Sequence, residues 1–334
     1  MLISQSRKVQ VIVEGEISDS FDIQNTIFQG TVLGPALWNL FFADVSIPAQ
    51  SSGGSSFKFA DDLSVFQAFD RHEENNVLIR RLGICRERVH KWGRLNRVAF
   101  DATKEHLAIL HPYSGEGDDF KLLGCMFDCK LTMRQAIERI MSQVCPKILA
   151  ILRTKQDYSV KDLIGQFKTH IWGIMEQHTG AIFHSANYLL DKLDNCQTRF
   201  LNEIGISEID AFLEFNFAPL RLRRNIGVLG LLHKRVLGLA HPIFQDLLPF
   251  HDHSQHGAST GNHTRQLYGH ALDVVFQSSL YHKSIFSMVH IYNRLPQKTI
   301  DKKTVSDFHC DLTFIARASC REGVQDWQSC FSIR

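Results

Sequence analysis

Apolar and polar residues alternate over Val9, Val11 and Val13, the period of a half-buried strand. Glu14-Gly15-Glu16 reads as a turn and Ile17 to Ile27 as the returning strand, so residues 8–28 predict a hairpin. An apolar run follows Gln29-Gly30-Thr31 and continues to about Val45. Its centre, Ala36 to Ala43, predicts a buried helix. Ser51 to Ser56 reads as a flexible loop. Phe57 to Phe69 holds two short apolar runs around Asp61-Asp62, which predicts strand, tight turn and strand. In residues 72–95, Leu78, Leu82, Cys85, Val89 and Trp92 recur at helical spacing. Arg80, Arg81, Arg86, Arg88, Lys91 and Arg94 fill much of the remainder, as either a solvated face or a surface for phosphates.

Further along, Val98 to Phe100 and His106 to Leu110 read as strands around a turn with Lys104. Phe120 to Leu131 predicts another hairpin, with Gly124 inside it. From Met133 to Leu239 the pattern is mainly helical, and Ile137, Ile140, Met141, Val144 and Ile148 share one face. Residues 160–187 and 189–205 suggest two more helices, and 217–240 hold the basic cluster Arg221, Arg223 and Arg224. A polar loop rich in His and Gly spans 250–263 and precedes a tail over 264–334. Together these elements give an α+β chain. Its divisions are 1–131, 132–249, the 250–263 loop and the tail.

Composition narrows the function classes. A net charge of +2 confines any nucleic-acid surface to a local patch. No run reaches the ~18 apolar residues of a membrane span, and Met1 to Lys8, with no long apolar run after its charges, does not read as a secretory leader. The expected location is therefore intracellular, nuclear or cytoplasmic. The eight cysteines are scattered without a close pair, which predicts reduced thiols. His251, His253, His256 and His263 read as a solvated loop. His309-Cys310, Cys320 and Cys330 lack the paired spacing of a zinc knuckle. Trp172, Phe183 and Tyr188 read as core residues. Arg221, Arg223 and Arg224 suit either phosphates or a helix end.

The chemistry centres on Asp61-Asp62. Adjacent carboxylates repel unless a cation offsets them. Apolar Phe57, Phe59, Leu63, Val65 and Phe66 would set them at the rim of a core. Oxygen ligands of this kind favour magnesium.

The segment Gln29 to Leu37 followed by Phe59-Ala60-Asp61-Asp62 resembles the palm of non-LTR retrotransposon reverse transcriptases. Trp92, Asn96 and Lys104 resemble that family's next palm motif, and Leu122 to Asp128 its primer-grip hairpin. Ala218 to Arg224 and Asn293-Arg294-Leu295-Pro296 are similar to downstream segments of such elements. The resemblance implies a partial right-hand polymerase palm followed by a helical thumb or connector. It implies RNA-directed DNA polymerase activity on an RNA template, a DNA primer and deoxynucleotides, with Mg2+ as cofactor. Asp61 and Asp62 would be the metal ligands and catalytic acids, and Lys104 would neutralise the leaving pyrophosphate. Gln29, Gly30, Phe59 and Ala60 would face nucleotide or template.

One part of the pattern is missing. The family's other catalytic carboxylate stands on an earlier strand, ahead of a helix. Here Ser20-Phe21-Asp22 lies too close to Gln29 for a helix to intervene, so Asp19 and Asp22 read as strand or turn residues. The expectation is an N-terminally truncated reverse transcriptase, inactive alone. The alternatives are a non-catalytic nucleic-acid-binding remnant and a decayed reading frame.

Overall fold

The computed structural model describes residues 7–23, 32–70, 72–111, 113–252, 262–269 and 283–332. The chain is α+β, with small antiparallel sheets among many helices. It divides into two compact units, Met1–Ile109 and Leu110–Arg334. The boundary therefore precedes the 120–127 hairpin, which the sequence reading groups with residues 1–131. Among the described residues, no helix is long and apolar enough to cross a membrane.

In the first unit, β1 (Arg7–Val9) pairs with β4 (Phe21–Ile23), and β2 (Ile12–Val13) with β3 (Glu16–Ile17). Glu14 and Gly15 both take positive φ, the turn whose twist matches paired strands. Next come α1 (Gly34–Phe41), a 3-10 turn at Ala43–Val45, and α2 (Ser46–Gln50). Pro35 starts α1, where its missing N–H costs nothing.

The expectation of a buried helix here is corrected: α1 buries no residue, and Leu40 is 75% exposed. The apolar run meets its partners mainly at its C-terminal end. Phe42, just beyond α1, joins Val45, Val89 and Trp92 in a small core, with Trp38, Leu63, Val98 and Phe100 against it. Trp38 stacks on Phe42 at 5.0 Å, and Phe42 meets Trp92 edge-on at 5.7 Å. Trp92 comes from α3 (Asn75–Asn96), whose buried Leu78, Cys85, Val89 and Trp92 follow the expected stripe. Arg97, at φ 58°, ends the helix left-handed. Val98 to Phe100 is not a strand but a return segment covering Trp92, and β7 is only Ala108–Ile109.

The second unit opens with β8 (Glu116–Gly117) and the hairpin β9 (Phe120–Leu122) to β10 (Cys125–Phe127). Asp128 then accepts N–H bonds from Lys130, Thr132 and Met133, at the start of α4 (Arg134–Arg153). Burial alone would raise the Asp128 carboxyl, but those donors outweigh it and hold it below the usual carboxylate range. Helix α4 buries Ala136, Ile137, Ile140, Val144, Ile148 and Ile151.

The two helices expected over 160–205 are broken more finely. Helix α5 (Val160–Phe167) starts with a Ser159–Asp162 capping box and widens into a π-turn at Lys168–Trp172. Short α6 (Gly173–Glu176) and α7 (Thr179–Ile182) precede α8 (Asn187–Ile204). The π-turn leaves Trp172 stacked on Phe217, with its indole N–H donating to Gln197 Oε1 at 3.2 Å. Trp172 and Phe183 are packing residues as expected. Tyr188 is not: it is exposed, and its hydroxyl accepts from Arg134.

After α9 (Glu208–Phe215), α10 (Leu220–Val236) is buried nearly all round. A β-carbon on Gly230 would fall 1.9 Å from His309 Nε2, so glycine lets that ring lie against the helix. Helix α11 (Ile243–Leu247) follows. The tail over 264–334, to which the sequence assigned no elements, contributes helices to the core. Helices α12 (Ile285–Asn293), α13 (Gln297–Ile300) and α14 (Val305–Arg321) bring Met288, Tyr292, Phe308 and Leu312 into one core with α10. His263 is buried rather than solvated, donating from Nε2 to the Tyr292 carbonyl at 3.1 Å. His253 and His256 lie outside the described residues.

Candidate acidic turn and basic recess

The acidic turn belongs to the first unit. Strands β5 (Ser55–Phe59) and β6 (Asp62–Phe66) pair with Phe59 opposite Asp62, leaving Ala60 and Asp61 as a two-residue loop. Ala60 takes φ 53°, where a β-carbon crowds the backbone. Positive φ at the first loop position alone is the pattern of a type II′ turn, which prefers glycine there. Two contacts hold the turn in place. The Trp38 indole N–H donates to the Ala60 carbonyl at 2.8 Å, and Lys58 Nζ donates to the Ala43 carbonyl at 2.7 Å. Ala60→Gly should relieve the strain and stabilise the unit by about 0.5–1 kcal/mol. A urea midpoint that falls instead would contradict a strained turn.

Asp61 and Asp62 are both exposed, and Phe59 is 65% exposed. The expected desolvation at a core rim is therefore absent, because only Leu63 of the flanking apolar residues reaches the aromatic core. Lys104 ends a 3-10 turn (Ala102–Lys104) with its side chain exposed, and Asp101 Oδ2 lies 3.6 Å from its Nζ. The Asp101 carboxylate also accepts from the Thr103 hydroxyl and N–H, which hold it below its ordinary range. Gln29 and Gly30 lie outside the described residues. Asp22 sits exposed on β4, in register with Lys8.

As a magnesium site, the two acids stand or fall by their donor set. Among the described residues, no group of three His, Cys, Asp or Glu side chains is placed to hold a metal ion. Two neighbouring solvated carboxylates supply oxygens of the right hardness. They do not supply the further ligand that a two-metal centre requires.

The second unit holds a recess that the sequence did not single out. It is about 210 Å3, between the β9–β10 hairpin, α4 and the Gln177-His178 corner. Its polar lining is Lys121, Arg139, Gln143, Gln177 and His178, over Cys125, Met126 and Ile140. Leu123 and Gly124 both take positive φ, which lets the hairpin turn tightly at the rim. Gln177 Nε2 donates to His178 Nε2 at 3.0 Å, so the neutral ring carries its proton on Nδ1. Burial, helped by Arg139, lowers the His178 pKa. The signal in the sequence was the pair Arg139 and Gln143, one turn apart on α4, but nothing local joined it to Lys121 or His178.

The Arg221–Arg224 cluster is engaged internally. Arg224 is buried and makes a bidentate pair with Asp194, at 2.6 Å to each oxygen. Arg223 pairs with Glu176 and lies 3.7 Å over the Trp172 ring, and Arg221 donates to Ser332. No protein-family model, curated protein or solved structure matches the chain.

Proposed function

We propose that this chain is a reverse-transcriptase-type palm remnant of the non-LTR retrotransposon kind, which binds primer–template nucleic acid and does not extend it alone. The observation that carries this reading is the Phe59–Asp62 hairpin. Two carboxylates stand at a strained two-residue turn, tethered to a Pro-started helix, with the basic helix α3 next in the chain. The partners would be an RNA template and a DNA primer. Deoxynucleotides would approach the turn, and Lys104 would stand as a phosphate-neutralising cation. The solvated pair of acids supports ancestry rather than turnover, because its donor set is incomplete.

A second reading, a non-catalytic nucleic-acid-binding module, is favoured by the recess. Lys121 and Arg139 supply fixed positive charge beside amide donors, a chemistry that suits a phosphate oxygen. Both readings predict primer–template binding that weakens steeply with salt. Lys121→Ala and Arg139→Ala should each lower the slope of log Kd against log salt by about one. Fluorescence anisotropy across a salt series checks this, and salt-independent binding would count against both. Incubation with Mg2+ and deoxynucleotides separates them from a working polymerase. Extension abolished by Asp61→Ala would overturn inactivity.

A further inference from the structure

Three sulfur atoms converge between α4 and α8, on residues that do not line the recess. Met141 and Cys145 stand four residues apart on α4 and so share a face. Cys196 projects from α8, with its Sγ 3.6 Å from Met141 Sδ. Cys145 and Arg199 both lie near enough to Cys196 to act on its thiol electrostatically. All three sulfur residues are half-buried, with Met141 and Cys196 packed against the first helical core. Solvent reaches them, while their backing is apolar.

We propose that Met141, Cys145 and Cys196 form a binding site for one soft monovalent metal ion, copper(I) or silver(I). Thiolate and thioether donors select such ions, whereas magnesium and calcium need oxygen. A three-coordinate ion with metal–sulfur distances near ~2.3 Å sets its ligands about 4 Å apart. The Met141–Cys196 separation of 3.6 Å needs only a small opening to reach that spacing. A structural zinc site would need a fourth ligand, and among the described residues no further His, Cys, Asp or Glu joins the two thiols. On binding, each thiol gives its proton to solvent and its sulfur lone pair to the ion. Two protons leave, the copper stays copper(I), and the centre carries one negative charge that Arg199 offsets.

The test uses the full reduced chain, with copper(I) supplied through a chromophoric copper(I) chelator that competes for it. One equivalent should be withdrawn from the chelator. Cys145→Ser and Cys196→Ser should each weaken retention by about a hundredfold, and Met141→Leu by about tenfold. Six cysteines remain in the double serine variant, from eight in all, and serve as the control for non-specific uptake. X-ray absorption of the loaded wild-type chain should find three sulfur neighbours, and that measurement does not depend on any variant folding. Unchanged retention in the folded double variant, or a nitrogen and oxygen shell around the metal, would overturn the proposal.

Discussion

Asp194→Ala is expected to destabilise the second unit by about 3–5 kcal/mol, the cost of breaking a buried ion pair from one side. The Arg224 side chain is 5% exposed and that of Asp194 is 23% exposed, so the charge left behind is the more buried one. Its guanidinium projects from α10, the helix that the second core surrounds, and both terminal nitrogens donate to the lost carboxylate. A charge cannot be neutralised there by proton loss, because arginine holds its proton at any accessible pH. The double change Asp194→Ala with Arg224→Met should recover most of the loss, since apolar residues of similar volume often match a buried pair. Urea unfolding followed by circular dichroism measures both. A single variant within 1 kcal/mol of wild type would mean that water already reaches the pair.

The second large effect is acid instability. His233 is fully buried; its Nε2–H donates to the Lys302 carbonyl at 2.9 Å, and its Nδ1 faces the Tyr292 hydroxyl at 3.0 Å. His263 repeats the pattern, donating from Nε2 to the Tyr292 carbonyl and accepting the Arg265 N–H at Nδ1. At His263 a second ring proton would meet the Arg265 N–H, which can only donate, and at His233 it would require the Tyr292 hydroxyl to turn from donor to acceptor. Burial pushes His233, His263 and His309 below the usual imidazole range. The Lys302 carbonyl at His233, the Tyr292 carbonyl and Asp301 at His263, and Glu176 at His309 oppose it without prevailing.

A folded pKa below the unfolded value means that the unfolded chain binds more protons as pH falls. Stability from these rings is therefore complete above about pH 6.5 and declines as pH drops through the range beneath it. Three such groups set a limiting slope of about 4 kcal/mol per pH unit. Urea midpoints at fixed ionic strength between pH 7.5 and 5 should follow that direction. A flat profile across the interval would mean that the rings are solvated or already charged.

Residues that face their own element's partner were legible in the sequence. The stripe on α3 and that on α4 were read because period and burial coincide. The acidic hairpin was read because the two-residue loop is local. Helix α10 was read incompletely, with Arg221, Arg223 and Arg224 left open between phosphate contacts and a helix end. Its Arg224 and His233 are buried by partners 30 residues before and 59 residues after them. No local pattern records such a pairing, and the same is true of the recess, which joins Lys121 to His178. The apolar run in α1 misled in the opposite sense. Its side chains suit a core, but little of the unit's core reaches them.

The bond from Trp38 to the Ala60 carbonyl ties a fluorophore to the backbone of the acidic turn. Trp92 bonds Asp44, Trp172 bonds Gln197, and Trp327 stacks on Phe212, so the other three indoles answer to different surroundings. A chain keeping only Trp38 thus carries a built-in optical probe of the field at Asp61 and Asp62. A cation drawn to those carboxylates would shift its emission without any nucleotide being present.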